Sequence, residues 1–269
     1  MKKLLNYLTI FAVFALPAKP SLAATQNLQM FNTISESEGK AFGSANTKQI
    51  LNSFIEYPLS PKQSIGTIIQ ASHIDSDYNN STKSYALNSA EIFHRYKVYS
   101  KDKFGVTMHN SYKFPSVYNQ NKNLGLMPQQ ADYELRFLFA YNMKDRLVNT
   151  VVRGDTPYFA RAEVAYRRRF GNPFDEARFT LWSGYNLNSK FALLLQENIV
   201  WNVESKATAT NSSYYNPNIS KSANNIATLS LIYRFDKDMA AQFGYFRRLQ
   251  GNNPFYDYQG VTVGLWNSF

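Results

Sequence analysis

The chain closes on Gln259-Gly260-Val261-Thr262-Val263-Gly264-Leu265-Trp266-Asn267-Ser268-Phe269. Successive side chains of a strand point to opposite faces, so Val261, Val263, Leu265 and Phe269 share one side and Thr262, Gly264, Trp266 and Ser268 the other. The stretch has about the 9 to 11 residues that a tilted strand needs to cross hydrocarbon. Asn267 is the one interruption of its apolar side. The pattern predicts a membrane-spanning strand, provided the rest of the chain supports one.

The N-terminus is consistent with export. Lys2 and Lys3 precede an apolar stretch from Leu4 to Ala18, and Ser21-Leu22-Ala23 is a small-x-small cleavage pattern. Residues 1–23 are expected to be a signal peptide and 24–269 a single β-barrel domain. The apolar stretch falls short of the ~20 residues of a spanning helix, and Asn6, Thr9 and Pro17 interrupt it. With no cysteine in the chain, neither a disulfide framework nor a lipid-modified N-terminal cysteine is available. Cleavage would remove three of 29 basic residues and none of 19 acidic ones, leaving a net charge of about +7. Basic charge fits nucleic-acid binding in a cytosolic protein. Here the export signal and the lack of a helix-turn-helix, zinc-ligand or RNA-binding pattern argue against it. The composition is 16% aromatic and 44% hydrophobic, with no apolar run of 18 after the signal. That excludes a helical membrane protein but suits a barrel, whose strands meet lipid on one face only.

Short turns of similar chemistry recur after aromatic residues: Tyr99-Ser100-Lys101-Asp102-Lys103, Tyr141-Asn142-Met143-Lys144-Asp145-Arg146 and Phe235-Asp236-Lys237-Asp238-Met239. Asn188-Ser189-Lys190 and Leu59-Ser60-Pro61-Lys62 fall where the same spacing calls for further turns. Polar stretches alternate with them, at roughly 35–49, 75–84, 118–130, 169–175, 205–222 and 251–255. Residues 24–269 thus divide into six hairpin units of about 41 residues. The expectation is an all-β, antiparallel up-and-down barrel of about twelve strands, with ten as the alternative because the first hairpin, 25–58, is the least patterned. Residues 147–170 are long for one strand, and Arg153-Gly154-Asp155-Thr156-Pro157 inside them has the composition of a turn. If it is a turn, the count fails there.

The terminal strand ending in Phe269, together with the signal peptide, resembles the Gram-negative outer-membrane β-barrel proteins, and the small porin-type channels among them. The resemblance implies a location in the bacterial outer membrane, contact with its lipid, and an even strand number with short turns and both termini in the periplasm. It also implies that Phe269 is an assembly signal read by the barrel-assembly machinery.

Apolar alternation then assigns the faces, because a Lys or Arg at mid-depth on the lipid side costs about 2–4 kcal/mol. Tyr133, Leu135, Phe137, Phe139 and Tyr141 are expected outside, with Asp132, Glu134 and Arg136 inside. Tyr158, Ala160, Ala162, Val164 and Tyr166 go outside, with Phe159, Arg161, Glu163, Arg167 and Arg169 inside. Phe179, Leu181 and Tyr185 place Arg178, Thr180 and Trp182 inside, and Leu229, Leu231, Tyr233 and Phe235 place Ser230 and Arg234 there. Gln196-Glu197-Asn198 is polar on both faces, so a bulge or register change is expected within 191–203. Adding Glu91, Arg95, Lys97, Lys113 and Arg248, the inferred lumen has more basic than acidic residues, which would concentrate anions. Such a barrel would let small hydrophilic, anionic solutes diffuse through. Pairing of Arg136 with Glu134, or of Arg161 with Glu163, would instead fill a narrow barrel. Tyr99, Tyr141, Tyr185 and Phe235 suit an interfacial girdle. Trp182 and Phe159 could be lumen packing or a sugar-stacking platform.

Two other readings are available. His109-Asn110-Ser111 puts an imidazole and a hydroxyl on one face at hydrogen-bond spacing. It resembles the His-x-Ser pair of outer-membrane phospholipases and lipid A deacylases, with Asn123 at the distance of an orienting Asn. The Gly-containing motif after the Ser is absent, and the facing puts the pair toward the lumen. Alternatively, the barrel is structural or adhesive, with 205–222 as a binding loop. His73 and His94 lack ligand spacing, and no metal or cofactor motif is present. The oligomeric state is not legible.

Overall fold

The computed structural model describes residues 28–41, 44–76, 82–115, 118–119, 131–143, 146–170, 175–203, 223–251 and 257–269. The elements are β1 (Gln29–Ala41), β2 (Ser44–Pro58), β3 (Gln63–Ser76), β4 (Thr82–Lys101), β5 (Phe104–Lys113), the two-residue β6 (Tyr118–Asn119) and β7 (Asp132–Tyr141). A helix, α1 (Leu147–Arg153), precedes β8 (Tyr158–Arg169), β9 (Asp175–Asn186), β10 (Phe191–Val203), β11 (Ala223–Arg234), β12 (Met239–Gly251) and β13 (Asp257–Ser268). Each long strand pairs antiparallel with its chain neighbours, and β13 returns to pair with β1 through Gln29↔Ser268 to Lys40↔Asp257. The result is a closed up-and-down barrel of twelve long strands, and β6 only bridges to Ala86 and Leu87 of β4. Closure leaves no strand edge unpaired, which is why strands can stand in hydrocarbon. The first described residue, Leu28, and Phe269 lie at one end, where the Phe269 amide donates to the Leu28 carbonyl at 2.9 Å. The turns at 59–62, 102–103, 187–190 and 235–238 lie at that same end, called here the turn end.

The outside is apolar, as the alternation predicts. Tyr133, Phe137, Phe139, Val164, Tyr166, Leu229 and Phe243 are among the most exposed side chains of the molecule. Tyr99, Tyr141, Tyr185 and Phe235 stand exposed at the turn end. Asp132, Glu134, Arg161, Glu163, Arg167, Ser230 and Arg234 are buried inside, as assigned.

Three expectations are corrected. The stretch 35–49 is not a loop: β1 and β2 pair without a break from Gln29↔Glu56 to Ala41↔Ser44. Polar residues on both faces obscured this hairpin in the sequence. The segment 191–203 contains no bulge, since β10 pairs in unbroken register with both β9 and β11. Gln196 and Asn198 face the lumen, where Thr180 Oγ1 donates to Asn198 Oδ1 at 3.1 Å, and Glu197 faces outward. The register shifts lie elsewhere, at Gln70/Ala71, Lys97/Tyr99 and Asn225/Ile226. Residues 147–157 are not the start of a strand and do not upset the count. Residues 147–153 form α1, ended by Gly154 in the left-handed region at φ 64° with its amide on the Thr150 carbonyl at 3.1 Å, and 154–157 lead into β8.

Candidate functional site

The site is the barrel interior, and the two-residue repeat builds it. On β4, β5, β7, β8 and β9 most inward positions over the middle of the wall fall on charged or polar residues, with Phe93, Leu138 and Ala165 as buried apolar exceptions. Register then stacks these rows: Ser111 lies opposite Glu134, Glu134 opposite Arg167, and Arg167 opposite Glu176.

Glu134 is the hub. It is 1% exposed and accepts from Arg136 Nε at 2.8 Å, Arg167 Nε at 2.8 Å and Arg178 Nη1 at 3.3 Å. Arg136 continues to Glu163, which also accepts from Arg161 Nε at 2.6 Å. Toward the loop end, Arg167 lies 3.5 Å from Glu91. Glu176 takes Arg169 Nη1 at 3.0 Å and Arg178 Nε at 3.3 Å. Buried Asp132 has Lys113, Arg167 and Arg169 nitrogens at 3.7, 3.7 and 3.8 Å. Toward the turn end, Arg95 Nη1 meets Glu56 at 2.6 Å, and its guanidinium lies over the Phe54 and Phe93 rings. The ladder is therefore an ion-pair network rather than a row of free cations. Sequence alternation found most of it but missed Glu56 and Glu176. Each follows the same inward parity, Glu56 on a strand whose faces the apolar pattern marks weakly and Glu176 at the loop end of β9.

The opposite wall has another chemistry. Over their middle, the inward faces of β1 to β3 and β10 to β13 carry hydroxyls and amides that bond one another. Gln70 Nε2 donates to Asn52 Oδ1 at 2.8 Å, Ser35 Oγ to Thr262 Oγ1 at 3.1 Å, and Gln242 Nε2 to Ser230 Oγ at 2.8 Å. Trp266 Nε1 donates to Gln242 Oε1 at 3.0 Å. Lys48 and Arg248 lie on this wall only toward the loop end.

The turn end is filled by α1. It leaves β7, packs against β13, β1, β11 and β12 on the far wall, and returns to β8. The Leu-Val-Asn-Thr-Val-Val run is a weak helix former, so tertiary contacts hold it. Val148, Val151 and Val152 are buried against Trp182, Leu194, Ile232, Ala240 and Trp266. Arg234 Nε donates to the Val151 carbonyl at 2.7 Å, and Ser268 Oγ to Asn149 Oδ1 at 2.6 Å. Arg146, just before the helix, lies 3.3 Å from Glu56, tying the plug to the ladder.

The candidate residues thus separate into groups. Arg95, Lys113, Glu134, Arg136, Arg161, Glu163, Arg167, Arg169 and Arg178 come together in the ladder. Arg234 does not belong to it; it is the clamp on α1. Lys97 is half-buried on β4 toward the turn end, outside the ion pairs described, and Arg248 is on the other wall. Phe159 and Trp182 are packed in the α1 cluster, with Phe159 against Gly184, where an added Cβ would lie 2.1 Å from its ring. Covered in this way, neither can act as a sugar-stacking platform. His109 and Ser111 point into the lumen, both buried. His109 Nδ1 accepts from Arg95 Nε at 3.0 Å and its ring stacks on Phe93. Among the described residues no hydrogen bond joins it to Ser111. Asn123 and the loop 205–222 lie outside the described residues. No group of His, Cys, Asp or Glu suited to a metal occurs among the described residues.

Solved structures similar in shape include an outer-membrane channel from Pseudomonas putida F1, at 12% identity over 94% of this chain and 99% of the channel, with a TM-score of 0.63. The NanC porin matches at 11% identity over 88% and 100%, with a TM-score of 0.51. The chain has the fold of the outer-membrane porin-type barrels. The β domain of the Bordetella autotransporter BrkA matches at 10% identity over 91% and 100%, with a TM-score of 0.50, so the barrel shape also reaches beyond porins. No family model matches the sequence, and no curated protein does. The porin-type likeness is therefore one of fold.

Proposed function

We propose that the protein is an outer-membrane channel that admits small hydrophilic, anionic solutes, exported by its signal peptide and inserted with the turn end and both termini in the periplasm. The observation that carries this reading is the two-sided lumen: an arginine-rich ion-pair wall facing a wall of neutral hydrogen-bonding groups. A carboxylate or phosphate entering from the loop end can take the place of a protein carboxylate as partner of Arg178 or Arg169, whose side chains are 29 and 20% exposed, or of Lys113, which pairs with Asp132. Such a solute offers these cations the same charge-assisted hydrogen-bond geometry that the protein carboxylates do. Hydroxyls of the same solute can bond across to Gln196, Asn198 and Thr228. With α1 packed across the turn end, that helix sets conductance in this reading while the ladder sets ion preference.

Planar-bilayer recording tests the proposal. The expected result is a small conductance whose reversal potential in a salt gradient indicates anion preference. Silence, or cation preference, overturns it.

A further inference from the structure

We propose that the outward face of β10 to β12 is the contact surface for a second copy of this chain, related by a two-fold axis along the membrane normal through Ala227. This rests on the membrane placement above but not on the channel activity.

The starting point is Glu197. Unbroken register places it outward between Leu195 and Ile199, in the middle of a strand whose other outward residues, Leu193, Leu195, Ile199, Trp201 and Val203, are apolar. By contrast, the outward residues of β7 to β9 over the same depth include Phe137, Phe139, Val164 and Leu181, with no carboxylate. A carboxylate facing hydrocarbon is unfavourable unless something compensates it. Its own barrel supplies one hydrogen bond, from Asn225 Nδ2 to Oε1 at 2.9 Å. The Asn225 Oδ1 is itself buried with no hydrogen-bond partner among the described residues.

Register supplies the complement. Glu197 lies opposite Ala227, and Ala227 opposite Arg247, in one outward row. Strands about 4.8 Å apart put the acid and the base roughly 10 Å apart on the same barrel, and no ion pair joins them. A two-fold axis through the middle of the row reverses its order across the contact. Glu197 of each copy then meets Arg247 of the other, twice, with the small Ala227 on the axis, where backbones must approach most closely. Strand tilt offsets the two charges in height by about 6 Å, which two long side chains can span. Around the row stand Leu195, Leu229, Phe243 and Tyr245, at 43, 57, 53 and 48% exposure on the single barrel, ready to be covered. An isologous contact of this kind needs the acid and the base on one patch in one row, which is what the register supplies.

The absence of cysteine allows a clean test. Ala227→Cys places a lone thiol on the proposed axis, and Leu135→Cys places one on the outward face of β7, away from it. After reconstitution in lipid vesicles and oxidation by copper phenanthroline, which accepts the two electrons released as two thiols become one disulfide, Ala227→Cys should form dimers at least about tenfold faster than Leu135→Cys. Adding Glu197→Arg should remove that advantage, and adding Arg247→Glu to the same chain should restore it. Heat-modifiable gel migration verifies that each variant is folded, and native mass of the wild type in mild detergent should give the dimer. Equal rates for the two cysteines, a wild-type monomer, or failure of the reciprocal swap to restore cross-linking each overturns the proposal. Single-channel conductance in the same preparations tests the channel separately, so an active monomer would sink the dimer alone.

Discussion

The two walls of the lumen solve the same problem, burial of polar side chains inside a barrel, by different means. On β4 to β9 the solution is charge: Glu134 holds three guanidinium groups, and nearly every ladder residue has at least two partners. Over the middle of β10 to β13 and β1 to β3 it is neutral, with uncharged hydrogen bonds such as those of Gln242 to Ser230 and of Trp266 to Gln242. Charged networks are strong only while complete, because removing one member strands the others in a low-dielectric interior. Neutral pairs lose less and reorganise more easily. The comparison therefore separates a stiff wall that selects from a softer wall that accommodates.

The strongest way to break the comparison is at the hub. Glu134→Ala should destabilise the folded barrel by about 3–5 kcal/mol, the cost of leaving buried charges unpaired, measured as a fall in the urea midpoint in vesicles. A change below 1 kcal/mol would mean that the ladder is an array of independent cations. Next in size is the clamp on α1. Arg234→Ala removes charge-assisted bonds to the Val151 carbonyl and to Asn186, at about 1.5–3 kcal/mol. It should raise single-channel conductance without changing ion preference, because the ladder is untouched. Unaltered conductance would remove α1 as the constriction. The smallest effect belongs to the neutral wall: Gln242→Ala takes the partner of the Trp266 indole and should cost about 1–2 kcal/mol, with anion preference retained. A loss as large as that of Glu134→Ala would erase the distinction between the walls.

Outside the lumen, Phe269→Ala should reduce the amount of assembled barrel far more than it alters the urea midpoint of barrel already inserted. Equal membrane levels of wild type and variant would show that Phe269 is not an assembly signal.

Legibility followed the physics of each wall. Strands β7, β8 and β9 declare their faces because lipid demands apolar residues at every second position, so Glu134, Arg161 and Arg167 could be placed inside from alternation alone. The first hairpin could not be read this way. Asn32, Ser53 and Gln49 interrupt its outward face, and the sequence suggested a loop where β1 and β2 pair continuously. Glu197 was ambiguous for a related reason: polar residues on both faces mimic a bulge, and only pairing with both neighbours shows that none is present. The helix α1 was invisible because Val and Thr give it little helical propensity. Its stability comes from contacts with distant strands, among them β1 and β13, more than a hundred residues away.

By itself the sequence determined the barrel, a count of about twelve strands with ten as the alternative, most of the short turns and the inward parity of β7, β8 and β9, along with the terminal strand that ends at Phe269. All of these follow from a local period of two and from short-range turn chemistry. Only the tertiary structure decided which charges meet, that α1 crosses the turn end, and that Glu197 faces outward in line with Arg247. Those depend on register between strands that are distant in the chain, and no local pattern encodes it.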